Sequence, residues 1–175
     1  GMTAQTKVDF ALRDVGIYKG EKILIRKTSD HIIASYDKNE FYFDSLSYGI
    51  KLKKNSQISI LFILGVINSK LINYIHETYS DNKSKVFAKV LAANLAKLPM
   101  PDIDFADKKQ KANHDEIVNL VRTLLILHKD GINATLQTEK QKIENKISFI
   151  ENKIDEIVYS IYGLQKQEIE LLKEF

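Results

Sequence analysis

Two hydrophobic periods divide the chain. Between positions 22 and 53 the apolar residues come in short β-branched or aromatic runs separated by turn chemistry. KILIRK (22–27) reads as a buried strand, Thr28-Ser29-Asp30 as a turn and HIIASY (31–36) as a second strand. Asp37-Lys38-Asn39-Glu40 supplies a hairpin turn, and Phe41-Tyr42-Phe43 a third strand. SYGIKLK (47–53) alternates Tyr48, Ile50 and Leu52 against Gly49, Lys51 and Lys53, which predicts a fourth strand with one lysine-bearing face. Strands joined by such short turns make an antiparallel sheet with one wet face.

From Ser56 the period lengthens. Ile60, Ile63, Leu64, Ile67, Leu71, Tyr74 and Ile75 recur every three or four residues, predicting one helix over 56–79 that backs the sheet, capped by Asn55 or Ser56. A polar loop (81–85), a further strand (86–91) and an extended Leu98-Pro99-Met100-Pro101 exit follow. Beyond the exit, Ile117, Leu120, Val121, Leu124 and Leu125 predict a helix of roughly four turns, with Asn113 as cap and Gly131 as stop. Leu136, Ile143, Ile147, Ile150, Ile154, Ile157 and Ile161 are then spaced by 7, 4, 3, 4, 3 and 4 residues, a coiled-coil-like seam. The turn at Gly131 folds the two helices into an antiparallel hairpin, the second overshooting the first. Gly163 ends the second helix, and 165–174 forms a short terminal one. A weaker helical spacing lies at 7–15. The predicted fold class is α+β: a mainly antiparallel sheet backed by a helix (1–105), then a long helical hairpin and short terminal helix (106–175).

Charge sharpens this division. The net charge of +3 is unevenly placed: positions 1–105 hold 15 Lys and Arg against 11 Asp and Glu, whereas 106–175 hold 11 against 12. A polyanion would therefore be met by the front part. Arg26, Lys27, Lys51, Lys53, Lys54, Lys83 and Lys85 fall on strands or loop ends there, interleaved with Tyr36, Tyr42 and Tyr48. Arg and Lys neutralise phosphates, and polar or aromatic side chains reach base edges. The competing reading is an ordinary sheet whose lysines keep it soluble.

Catalytic chemistry is thinly represented. The sequence has no phosphate loop, dinucleotide fingerprint or nucleophile elbow. His31, His76, His114 and His128 are scattered, so no metal ligand set and no cofactor is expected. Pro101-Asp102 followed by Asp107-Lys108-Lys109 is superficially similar to the carboxylate–lysine signature of metal-dependent nucleases, but the gap leaves no room for the hairpin that chemistry needs. Cysteine is absent and no signal-peptide pattern follows Met2, which fits a cytoplasmic protein. The longest apolar run is far short of the ~20 residues of a membrane span.

Four segments resemble a known family. KGEKILIRKTSDHIIASYDKNEFYF (19–43), LGVINSKLINYIHE (64–77), LAKLPMPDI (95–103) and IDEIVYSIYGLQKQEIELL (154–172) are similar, in order, to the TaqI-like C-terminal specificity domain, akin to type I specificity subunits. The matching motifs are Ile67-Asn68-Ser69-Lys70-Leu71, Leu98-Pro99-Met100-Pro101 and the closing I-D-x-x-V-Y-x-L-Y-G-L pattern, here with Ile161 in place of Leu. The resemblance implies sequence-specific recognition of double-stranded DNA in a restriction–modification system. The N-P-P-[YF] motif and methyl-donor glycine loop of the full enzymes do not occur. The implied module is therefore non-catalytic and serves a methyltransferase or endonuclease part, with homodimerisation through the C-terminal helices a further expectation. The alternative is a protein-interaction or assembly module acting through its coiled coil. Base-reading residues in such domains vary with the target. The candidate DNA-binding set therefore rests on charge and position: Arg26, Lys27, Tyr36, Tyr48, Lys51, Lys53, Lys54, Lys83 and Lys85.

Overall fold

The computed structural model describes residues 15–79 and 88–173. A single 3-10 turn (Val15–Ile17) leads into β1 (Lys22–Arg26), β2 (Ala34–Asp37) and β3 (Ser47–Ile50), an antiparallel sheet of order β2-β1-β3. The helices are α1 (Ile60–Ile67), α2 (Lys70–Tyr79), α3 (Ala92–Leu95), α4 (Lys108–Asn133), α5 (Gln137–Tyr162) and α6 (Lys166–Lys173). The fold is α+β, as the sequence predicts.

Strand alternation sorts the sheet into two unlike faces. Ile23 and Ile25 of β1 are wholly buried, and their cross-strand partners Tyr36, Ala34, Ile50 and Tyr48 share that inner face. Against it lies α1, of whose eight residues seven are buried. Such burial requires cover on two sides, and α4 with α5 supplies the second. Gly65 permits the approach: a Cβ there would stand 2.7 Å from Ile117 Cγ2 and 3.0 Å from Val121 Cγ2. The layers therefore run sheet, α1, helical hairpin. One apolar cluster extends from Ile23 to Leu172, across the boundary at 105.

Several local expectations differ from the structure, each for a physical reason. Phe41–Phe43 is not a strand. The Asp37 carboxylate accepts the amides of Asn39 (2.7 Å) and Phe41 (3.0 Å), which curls the chain before pairing starts. Glu40 takes a positive φ of 57° in that curl. The sheet thus has three strands, and β3 stops at Ile50.

The apolar period predicted a single helix over 56–79, but the backbone breaks at Asn68-Ser69. Helix α4 starts at Lys108, six residues before the predicted start, because Asp107 accepts the amides of Lys109 (2.7 Å) and Gln110 (3.1 Å). It runs through Gly131 to Asn133, so α4 and α5 are equally long, at 26 residues each, and neither overshoots. Gly163, at φ 69°, does end α5. Of the strand expected over 86–91, Ala88–Leu91 is irregular, although Val90 N–H donates to the Lys27 carbonyl (2.8 Å). The expected loop at 81–85, and nearly all of the helix expected over 7–15, lie outside the described residues.

Candidate nucleic-acid interface

Among the described residues, no helix packs on the outer face of the sheet. Leu24 and Arg26 of β1, Ile33 and Ser35 beside them, and Ser47 of β3, with Thr28 and Leu46, line an open groove of about 380 Å³. One end of this face is closed by a small aromatic cap. Phe43 lies over Gly49, where a Cβ would stand 2.6 Å from the ring, and Tyr18 stacks on Phe43 and Tyr42 at 5.1 and 4.5 Å.

Beneath the cap, Lys22 is fully buried. Its ammonium donates to Asp37 (2.6 Å) and to the Tyr18 carbonyl (2.6 Å). Burial works to raise the Asp37 carboxyl, but the Lys22 bond and the two loop amides together hold it below its ordinary value.

The residues singled out by charge fall into three situations. The Arg26 backbone amide donates to the Ile33 carbonyl (3.1 Å), while its guanidinium is exposed on the outer face and makes no hydrogen bond or ion pair among the described residues. Lys53 and Lys54 are exposed in the connection to α1, just before a left-handed turn at Asn55 (φ 70°). Lys27, Tyr36, Tyr48 and Lys51 are all engaged by the protein itself. The Lys27 ammonium sits 4.4 Å from the centre of the Tyr48 ring, and the Tyr48 hydroxyl accepts the Ala92 amide (3.1 Å). Tyr36 donates a short hydrogen bond to Glu21, and burial together with that carboxylate pushes its phenol up to about 12. Lys51 donates to the carbonyls of Gly16 (3.0 Å) and Lys19 (2.6 Å), fastening the N-terminal turn. Lys83 and Lys85 lie outside the described residues.

The motif residues lie elsewhere, at a junction behind the sheet. Asn68 pairs with the backbone of β2 as a strand neighbour would: its Oδ1 accepts the Ala34 amide and its Nδ2 donates to the Ala34 carbonyl, both at 3.0 Å. This bond accounts for the break between α1 and α2. Asn73 adds a third link, accepting the Ile32 amide at 2.7 Å. Ser69 turns the chain into α2, donating to the Val66 carbonyl (2.7 Å) and accepting the Ile72 amide (3.4 Å). The Lys70 amide donates to the Asp155 carboxylate of α5 (2.9 Å). Burial of Asp155 pushes its carboxyl up to about 6, against the lowering effect of that amide. The Tyr162 hydroxyl donates to the Pro99 carbonyl. All three motifs therefore meet in one scaffold joint.

Sequence reading did not identify Asp155 or Asn68 as ties between segments, because their partners are 85 and 34 residues away. It also missed His114, whose Nε2 accepts the Ser59 amide (3.0 Å) while Nδ1 bonds Asp115 (2.9 Å), with Phe62 and Phe105 against the ring. No local pattern signals that role. In the nuclease-like segment, Asp107 is a helix cap. Among the described residues no group of three or more His, Asp or Glu side chains is placed to hold a metal ion, and no helix is long and apolar enough to cross a membrane.

Comparison with known proteins places this arrangement. Residues 3–100 match the model of the TaqI-like C-terminal specificity domain. A putative type II restriction enzyme and methyltransferase of Methanocaldococcus jannaschii is 30% identical over 153 residues, covering 81% of this chain and 11% of that protein. A type II restriction enzyme and methyltransferase of Escherichia coli is 30% identical over 100 residues, covering 57% of this chain and 9% of its own length. The chain thus spans about a tenth of the curated relatives it matches.

Proposed function

The chain belongs to the TaqI-like C-terminal specificity domain family, and from that premise we propose that it recognises double-stranded DNA by sequence, as a non-catalytic module serving a methyltransferase or endonuclease part of a restriction–modification system. The observation that carries this reading is the family match over residues 3–100, the segment that holds the sheet and the excess of basic residues. The layering supports it, since among the described residues the hairpin and α1 cover one face of the sheet and no helix covers the other. Of the candidate set, Lys53, Lys54 and Arg26 are the cations with no side-chain partner among the described residues, suited to phosphates or bases, and Lys83 and Lys85 belong to the same proposal by charge.

Fluorescence anisotropy on mixed-sequence duplexes tests it. Affinity should fall steeply as salt rises, and Lys53→Ala with Lys54→Ala should flatten the slope of log K against log salt by about 2. Absence of salt-dependent binding at low ionic strength would sink the reading.

A second reading is assembly through the helical hairpin. Ile126, Ile132, Leu136 and Phe149 are exposed on α4, α5 and their connection, by 59 to 84%. On this reading a second copy, or the catalytic part, covers them. Sedimentation velocity separates the cases: a strict monomer at tens of micromolar rules out self-association.

A further inference from the structure

We propose that the outer face of the sheet is the base-reading surface and that Arg26 is its guanine reader. This rests on the DNA-recognition reading above and narrows it to one face and one side chain. The basic residues of the sheet are not equivalent. Lys22 is committed to Asp37, Lys27 to the Tyr48 ring and Lys51 to two carbonyls. Arg26 alone of the strand cations presents its whole donor set outward, with no partner among the described residues.

Its surroundings suit base edges better than phosphates. Ser47 faces it directly across β1–β3, and Ser35 and Thr28 line the same groove with Leu24, Ile33 and Leu46. In the major groove guanine offers two acceptors that match a guanidinium fork. Hydroxyls bond either donors or acceptors, and apolar side chains meet the thymine methyl. A phosphate site needs only charge, and a surface that alternates one fork, hydroxyls and apolar contacts is a mixed reader.

The dimensions agree. Three strands span two inter-strand spacings, roughly 10 Å, and the major groove is roughly 12 Å wide. The inner face is closed to DNA by α1. Tyr36 and Tyr48 lie on that closed face, so their role in this proposal is to hold the sheet, not to read bases. The aromatic cap of Tyr18 and Phe43 closes the other end of the outer face, which confines reading to the Arg26 half.

The test selects duplexes from a randomised library with the 175-residue chain, then measures anisotropy on the enriched duplex and on single base-pair substitutions of it. Arg26→Ala and Arg26→Lys are run in parallel, with circular dichroism confirming that each variant folds. The expected result is a guanine in the enriched sequence whose replacement weakens parent binding roughly 10- to 100-fold. Arg26→Ala should bind the original and replaced duplexes alike. Arg26→Lys retains the charge but not the planar fork, so it should keep the salt slope and still lose the discrimination.

If both variants keep the parent preference and lose affinity uniformly, Arg26 is a phosphate contact; the inference falls and the DNA reading stands. If the parent binds duplexes without enriching any sequence, the inference falls and only non-specific binding remains. If no salt-dependent duplex binding occurs, both fall. Retention of a peptide-like or protein partner by this face, with no duplex binding, counts in that last class.

Discussion

The two sides of the sheet teach opposite lessons. The inner side and the joint behind it hold the residues by which the family is recognised, and those residues touch one another. Asn68 pairs with Ala34, Lys70 N–H with Asp155, and Tyr162 with Pro99. The outer side holds a guanidinium unpaired among the described residues, hydroxyls and exposed Ile33 and Leu46, none of them in the three short motifs. A scaffold must repeat to keep its fold, whereas a reading surface must differ from one target to the next. On the proposed function, the signature motifs would mark the scaffold that holds recognition, and the outer face would do the reading.

The comparison predicts that stability is concentrated beneath the aromatic cap and behind the sheet, and that the open Arg26 half of the outer face carries little of it. The largest effect is expected for Lys22→Met, which leaves the Asp37 carboxylate buried with only its loop amides. A loss of about 3–5 kcal/mol in urea unfolding is expected. A loss under 1 kcal/mol would mean that the aromatic cap opens and hydrates the site. Next is Gly65→Val, which forces side-chain atoms against Ile117 and Val121 where even a Cβ is too close. About 3 kcal/mol of destabilisation should follow in the same assay.

Asp155→Asn should act through pH. The native carboxyl titrates near 6, above its ordinary value of 3.8, so the folded state takes up a proton on acidification before the unfolded chain does. The charge at Asp155 therefore costs stability above pH 6, and that cost disappears as pH falls from 6 to 4. Burial of His76 opposes this: its pKa lies below 6.5, so its contribution declines as pH falls through that region. Asparagine still accepts the Lys70 amide without the charge. The variant's advantage over the parent is expected to grow by about 1.4 kcal/mol between pH 5 and pH 8. A stability difference that does not change with pH would contradict the assignment. The smallest effect is expected on the open half of the outer face, where Arg26→Ala should shift unfolding by no more than about 0.5 kcal/mol. A larger loss would make Arg26 part of the scaffold.

What the sequence disclosed, and what it withheld, follows the range of the forces involved. Helical and strand periods report burial of neighbouring residues, and they correctly announced an antiparallel sheet followed by a hairpin. They carried through the α1–α2 break without a signal, since Asn68 is diverted by a β2 backbone group 34 positions away. Phe41-Tyr42-Phe43 has strand composition, yet Asp37 captures the Phe41 amide. Charge located the basic half of the chain but not its outward face. That depends on the register of Ile23 with Tyr36 and Ile25 with Tyr48, which turns both tyrosines toward the core. Lys51 reads as a surface cation in the sequence and is a clasp in the fold.

The Asn68–Ala34 pairing has one more consequence. β2 is an edge strand, and an edge with free amides and carbonyls invites another chain to extend the sheet. At Ala34 both groups are occupied by the Asn68 side chain, and the Ile32 amide before it by Asn73. Two asparagines thus stand where a neighbouring molecule's strand would begin. Their loss would turn a guarded border into a template for aggregation, an outcome that light scattering on concentrated Asn68→Ala protein would register.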